Sequence, residues 1–295
     1  MKISAFVCII NPEFWCFPYQ EALRSYCDLA DEIIMVDGGS IDGSLNKIKK
    51  ISDKIKIIHL NWPWDYKQRE FPLHLNYGLD NCNGDWVIKF DIDFVLHDFD
   101  AIAFKRKLQD VNHDANIWVA SFTRYNLLNR FQAFEKDSLN WVIHKKFTDN
   151  KIRFGVGIRQ QHPDWSQAVI VQKIINGVPY GDTYMEETAK INLPAEHVLK
   201  MGNPVYNYDC FFRTKEKCQT WFARAAKAYR EETGYPLYGK DDEDSWKLWR
   251  AIRQQQKKYY EKIDLKIEDH PIYIQDKIKN MTPDMWGYNN WDWKL

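Results

Sequence analysis

No charge of one sign dominates this 295-residue chain, in which 41 basic side chains balance 41 acidic ones. A surface without a net field attracts neither polyanions nor anionic membranes, so no nucleic-acid partner is expected. Long apolar runs are also missing. None approaches the roughly 20 residues that a membrane span needs, so no transmembrane segment is expected. The opening MKISAFVCIINPEF carries an apolar run broken by Ser4. It is short for a signal sequence and lacks a small-residue cleavage site, so it reads as a buried first strand. The six cysteines (Cys8, Cys16, Cys27, Cys82, Cys210 and Cys218) form no Cys-x-x-Cys pair. That argues against a zinc site or a disulfide framework, and for a reduced, cytoplasmic setting. The sequence shows no internal repeat and no low-complexity segment.

Large rings are plentiful. Thirteen tryptophans and a 15% aromatic share predict a ring-rich core, with some exposed rings free to stack on sugar faces. Trp62 and Trp64, in the loop NWPWDY, are the candidates for that use. The length suits one large domain, or a domain with a helical appendage, and would bury roughly 75% of the unfolded surface.

Apolar, β-rich runs at 3–10, 32–37, 54–60 and 85–90 alternate with helical spacing at 19–30, 42–52 and about 70–81. Asp42 is the expected N-cap of the second helix. A further helix over 98–110 precedes a strand over 116–127. This alternation implies an α/β fold whose mixed, mostly parallel sheet is flanked by helices. Ligands of such sheets bind beyond the carboxyl ends of the strands, where Asn11, Asp37 and Asp91 fall.

Residues 128–210 read as less regular, with short strand-like pieces in KIRFGVGI and QAVIVQKII. Such stretches build the acceptor side of a cleft. Helices are predicted over 214–232, capped by Thr214, and over 243–262, followed by a tail with Trp286, Trp291 and Trp293. The expected divisions are therefore 1–125, 126–212 and a C-terminal helical extension, 213–295. The extension would shield the cleft or mediate self-association as a homo-oligomer.

Four ordered segments carry a family likeness: CIINPE, VDGGSIDGS, KQREFPLHLNYGL and GDWVIKFDID. With them the first hundred or so residues resemble family-2 glycosyltransferases of the GT-A fold. The resemblance implies transfer of a sugar from a UDP- or GDP-linked donor to a glycan or other hydroxyl acceptor, with inversion at the anomeric carbon. It also implies Mn²⁺ or Mg²⁺, which suit oxygen ligands and diphosphate.

By that resemblance Asp93 ligates the metal, while Asp91 faces the ribose or a metal-bound water. Asp37 would contact the base or ribose, or else cap the glycine turn. Gly38, where the family often has a second aspartate, and Gly39 would let the backbone approach the nucleotide. Asn11 and Glu13 match the first-strand motif and either touch nucleotide or shape a turn. Arg69, or its neighbour Lys67, matches a basic position facing the diphosphate. The general base is implied in GDTYMEETAK, as Glu186 or Glu187 with Asp182 behind them; Asp164 is the outsider. A further metal ligand falls at Asn207, with Asp209 two residues on, and His197 nearby reads as structural. Phe94 departs from the family, which often has Glu there.

Two rivals remain. A nucleotidyltransferase would need a Gly-rich, Arg-containing loop where this chain has NPEFWCFPY. A non-catalytic glycan-binding or scaffold protein on the same fold would suit the aromatic richness, Phe94 and Asn207.

Overall fold

The computed structural model describes residues 1–61, 71–147, 152–157, 167–183, 197–202, 204–233 and 239–289. Trp62, Trp64, Lys67, Arg69, Asp164, Glu186, Glu187, Trp291 and Trp293 lie outside the described residues.

The first half alternates as its apolar runs require: β1 (Ile3–Ile9), α1 (Tyr19–Leu29), β2 (Glu32–Asp37), α2 (Ser44–Ile48), β3 (Ile55–His59), α3 (Phe71–Asp80) and β4 (Trp86–Lys89). Short β5 (Phe94–Val95) and α4 (Asp98–Asp110) follow. Strands β3, β2, β1 and β4 lie side by side, all parallel. Parallel strands covered on both faces read as continuous apolar runs, and β2 is buried at every position.

Alternate residues of β1 serve two cores. Ile3, Ala5, Val7 and Ile9 pack with Leu23 and Tyr26 of α1 and Phe104 of α4, whereas Phe6 joins Leu75 and Leu79 of α3. Helix α1 presents Tyr19, Ala22, Leu23, Tyr26 and Leu29 to the sheet, an apolar stripe at helical spacing. Asp98 and Asp100 in the first turn of α4 and Lys107 in its last complement the helix dipole.

Two local expectations need correction. The second helix is shorter than 42–52, with Gly43 in left-handed backbone at its N-cap. Asp42 instead accepts from the amide and hydroxyl of Ser44 and from Phe14 N. The middle section is also more regular than expected. Here β6 (Val119–Asn129) and β7 (Gln132–His144) form a long hairpin, and β7 inserts antiparallel beside β4.

Next come β8 (Ile152–Gly157), β9 (Gln167–Ile175) and β10 (Val178–Thr183), which close on one another as a separate small sheet. A Cβ on Gly181 would sit 1.7 Å from Ile170 O, so the closure needs glycine there. Strands β11 (Val198–Lys200) and β12 (Val205–Asn207) return to the main sheet, pairing with β6.

The C-terminal third contains α5 (Lys215–Thr233), α6 (Asp242–Tyr259), β13 (Ile263–Asp264), α7 (Ile272–Lys279) and α8 (Trp286–Asn289). Thr214 does cap α5, accepting from Lys217 N at 3.4 Å. The extension is tied into the sheet, because β13 pairs with β7 and Lys277 of α7 lies 3.3 Å from Glu21 of α1. The division at 125/126 falls inside β6. All six cysteines are free thiols, and no helix among the described residues is long and apolar enough to cross a membrane.

Candidate functional site

A cavity of about 410 Å³ opens at the carboxyl ends of β1 and β4. Its wall includes Ile9, Ile10 and Pro12 from β1 and its loop, and Asp91, Ile92, Asp93 and Phe94 after β4. The far side comes from Arg124 of β6, Asn207 at the end of β12, Asp209 just after it, and Trp221 and Arg224 of α5. Asp91 and Asp93 therefore face one open cleft.

Each carboxylate has its own surroundings. Asp91 is 41% exposed and pairs at 2.8 Å with Lys89, a lysine only 2% exposed. Asp93 is buried, and its backbone carbonyl accepts from Tyr208 N. Burial, then the charges of Asp209 and Asp91, hold the Asp93 carboxyl well above the usual carboxylate range, against the opposing pull of Arg213. Phe94 takes part in β5, paired with Asn207 of β12, and is buried in the cleft wall.

Asn207 is occupied locally. Its amide donates to Asn126 Oδ1 at 2.8 Å, and its Oδ1 accepts from Asp209 N at 2.9 Å. This turn projects Asp209 into the cleft, so Asp209 is the third carboxylate of the wall where the family likeness pointed to Asn207. Arg213 stands behind it, 1% exposed, with Nη1 3.8 Å from Asp209 and Nε donating to Trp15 O at 2.7 Å. Its guanidinium lies over the rings of Phe17 and Trp221, 4.3 and 4.6 Å from their centroids.

The nucleotide-side candidates are also engaged within the protein. Asn11 adopts positive φ; its amide donates to Ser40 Oγ and its Oδ1 accepts from Ile41 N. It thereby ties the loop after β1 to the loop after β2. Glu13 pairs with Lys47 at 2.8 Å and accepts from Tyr19 at 2.5 Å, which together hold its carboxyl below the ordinary range. Asp37 accepts from Gly39 N and Ser40 N, the capping role, and from His59 Nδ1. Gly39, at φ +102°, makes the turn possible. Asp182 belongs to β10, in the small sheet rather than the one carrying Asp91 and Asp93. His197 is held by Asn116 O and stacked on Trp118.

Sequence reasoning missed Lys89, Arg124, Arg213 and Arg224. Only Lys89 left a signal: a charged residue inside the apolar strand WVIKF asks for a buried partner.

The residues present fit a hard divalent cation. Such ions are held by one or two carboxylates plus substrate phosphates, and Asp91 and Asp93 offer those oxygens where negative charge is incompletely balanced. Among the described residues, no three His, Cys, Asp or Glu side chains are disposed to hold a metal by themselves.

Comparison with known proteins finds likenesses over part of the chain. Residues 20–162 match the profile of Glycosyl transferase family 2. That stretch is a little under half of the chain. An uncharacterized glycosyltransferase of Mycoplasma genitalium is 30% identical over 127 residues, 40% of this chain and 41% of that protein. The match thus spans less than half of that relative's length.

Solved structures with a likeness include Staphylococcus aureus TarS 1–349 in complex with UDP, at 14% identity and a TM-score of 0.41, covering 87% of this chain and 92% of that one. A mannosyltransferase from Pyrobaculum calidifontis, solved with GDP-Man and Mn²⁺, has 11% identity and a TM-score of 0.46, with coverages of 86% and 73%.

Proposed function

We propose that this chain transfers a sugar from a nucleoside-diphosphate donor to a hydroxyl acceptor by a single inverting displacement. Asp91, Asp93 and Asp209 lining one open cleft, in a chain whose residues 20–162 match the family-2 profile, are the observation that supports it. Asp91 and Asp93 would hold Mn²⁺ or Mg²⁺, which when bound offsets charge on the departing nucleoside diphosphate.

The remaining work falls to the chain's own residues. Lys89 fixes the Asp91 carboxylate from below. Arg213 steadies Asp209. Ile9, Ile92 and Phe94 keep the cleft floor apolar, which strengthens electrostatic interactions there. The proton of the acceptor hydroxyl goes to a carboxylate base, for which Glu186 and Glu187 remain the proposed residues. Such a base typically contributes about 10²–10⁴-fold.

One observation favours the non-catalytic rival: Asn207 turns its side-chain carbonyl toward Asp209 N rather than leaving both lone pairs for a cation. A donor-hydrolysis screen across UDP- and GDP-sugars, with and without Mn²⁺, separates the two readings. Metal-dependent release of UDP or GDP that Asp93→Ala abolishes supports transfer. Glycan binding with no release from any donor supports the rival.

A further inference from the structure

We propose that His59, locked by Asp37, reads the donor base through its Nε2 atom, which accepts the ring N–H of uracil or guanine. The proposal rests on the transfer reading above, because it needs a nucleoside diphosphate in the cleft.

Asp37 ends β2 at the sheet edge where the base is expected, yet its side chain is only 1% exposed. Its oxygens accept from Gly39 N at 3.2 Å, Ser40 N at 3.0 Å and His59 Nδ1 at 3.0 Å. A base arriving from solvent cannot reach them while this turn stands.

His59 closes β3 and lies opposite Asp37 in the parallel register. Its side chain is 67% exposed. It therefore carries the recognition position outward by one imidazole ring. Among the described residues, a Cβ on Gly39 would meet nothing nearer than Asn61 Oδ1, at 3.7 Å.

The chemistry of the pair fixes the polarity. A carboxylate only accepts, so the proton between the two residues sits on Nδ1. A neutral imidazole that carries its hydrogen on Nδ1 has Nε2 as its acceptor. Uracil N3 and guanine N1 each carry a hydrogen, which satisfies that acceptor. Adenine N1 and cytosine N3 carry lone pairs, which would oppose it. Thus the Asp37–His59 pair selects UDP or GDP over CDP and ADP.

The test is calorimetric titration of the full chain with UDP, GDP, CDP and ADP in the presence of Mn²⁺, for the wild type and His59→Ala. The better-bound nucleotide is repeated with its base methylated at uracil N3 or guanine N1. In the wild type, UDP or GDP should bind at least about tenfold tighter than CDP and ADP, and methylation should remove about that much. In His59→Ala, parent and methylated nucleotide should bind within about twofold of each other, the acceptor being gone.

The methylated nucleotide needs no variant and tests the proposal on the intact protein. Equal binding of parent and methylated forms to the wild type overturns it, as does a base preference unchanged in His59→Ala. Both of those results leave the transfer reading standing. Failure of the wild type to bind any of the four nucleotides overturns the transfer reading and the base-reading role together.

Discussion

Lys89 Nζ lies 2.8 Å from Asp91 Oδ1, and the two ends of this ion pair sit in different surroundings. The lysine is 2% exposed and the aspartate 41%. Removing the aspartate is therefore the costlier half-deletion, because it leaves a buried ammonium without this carboxylate. Asp91→Ala should lower stability by about 1–2 kcal/mol, and Asp91→Ala with Lys89→Met should recover most of it. Urea denaturation of the two variants checks the order; a double variant less stable than Asp91→Ala would show that Lys89 is held by its other contacts.

Asp93 sets stability against function. Its folded-state carboxyl holds its proton to higher pH than the unfolded chain does, because of burial and the charges of Asp209 and Asp91. Stability from that proton is fully present below the unfolded value near 3.8. It is lost as pH rises from there toward the raised folded value. Asp93→Asn should therefore make the cation-free protein more stable at neutral pH, by on the order of 1–3 kcal/mol, and flatten that slope. The same change should cut metal-dependent donor hydrolysis at least about 100-fold. Denaturation midpoints at pH 5 and 7.5, taken with donor hydrolysis, test both halves.

Where the chain was legible follows from what fixes each element. Strands β1 and β2 and helix α4 were readable because burial on both faces, or on one helical stripe, writes itself into local spacing. Strand β7 was not. Its first half, QAFEKD, is polar enough to read as a loop, and its extended form depends on pairing with β6 and then β4. Strands β5 and β12 are two and three residues long, too short to carry a period.

At the site, the Asp91–Asp93 pair was visible because a strand end and two carboxylates are local facts. Asp209 reaches the same cleft only because the Asn207 side chain holds its amide and Arg213 backs its carboxylate. Neither contact has a signature in the linear order. Asp37 shows the opposite limit: it ends β2 as the local spacing implies, but His59 lies 22 residues away in sequence and meets it only through strand register.

Glu32 gives an acid limit unrelated to the cleft. Its side chain is 3% exposed and pairs with Lys56 at 3.0 Å and Lys2 at 3.2 Å. Ser4 Oγ and Asn83 N each donate to it at 2.7 Å. Burial alone would raise its pKa, but these hydrogen bonds outweigh burial and hold it at about 2. Because the folded value is depressed, the stabilisation is present above the unfolded value near 4.5 and lost as pH falls toward 2. Wild-type stability should drop by on the order of 3 kcal/mol across that window through this group. Glu32→Gln should start lower at pH 6 and lose the corresponding part of the slope, as urea midpoints from pH 2 to 6 would show.

Arg213 ties the C-terminal extension to the loop after β1. Its Nε donates to Trp15 O, 198 residues earlier, and its guanidinium lies over the rings of Phe17 and Trp221. Lys217, one turn on, donates to Phe14 O at 2.6 Å. The loop after β1 and the start of α5 are thus fastened together by buried or half-buried cations lying on aromatic rings. Arg213→Ala removes one donor from Trp15 O and one cation from beside Asp209, and should cost about 3–5 kcal/mol. Arg213→Lys keeps the charge but loses the planar fork that serves both partners, so it should recover less than half. Hydrogen exchange should show residues 11–18 and the first turn of α5 losing protection together in both variants. Loss confined to α5 would mean that the loop is held by Asn11 and the sheet alone, and that the extension only rests against it.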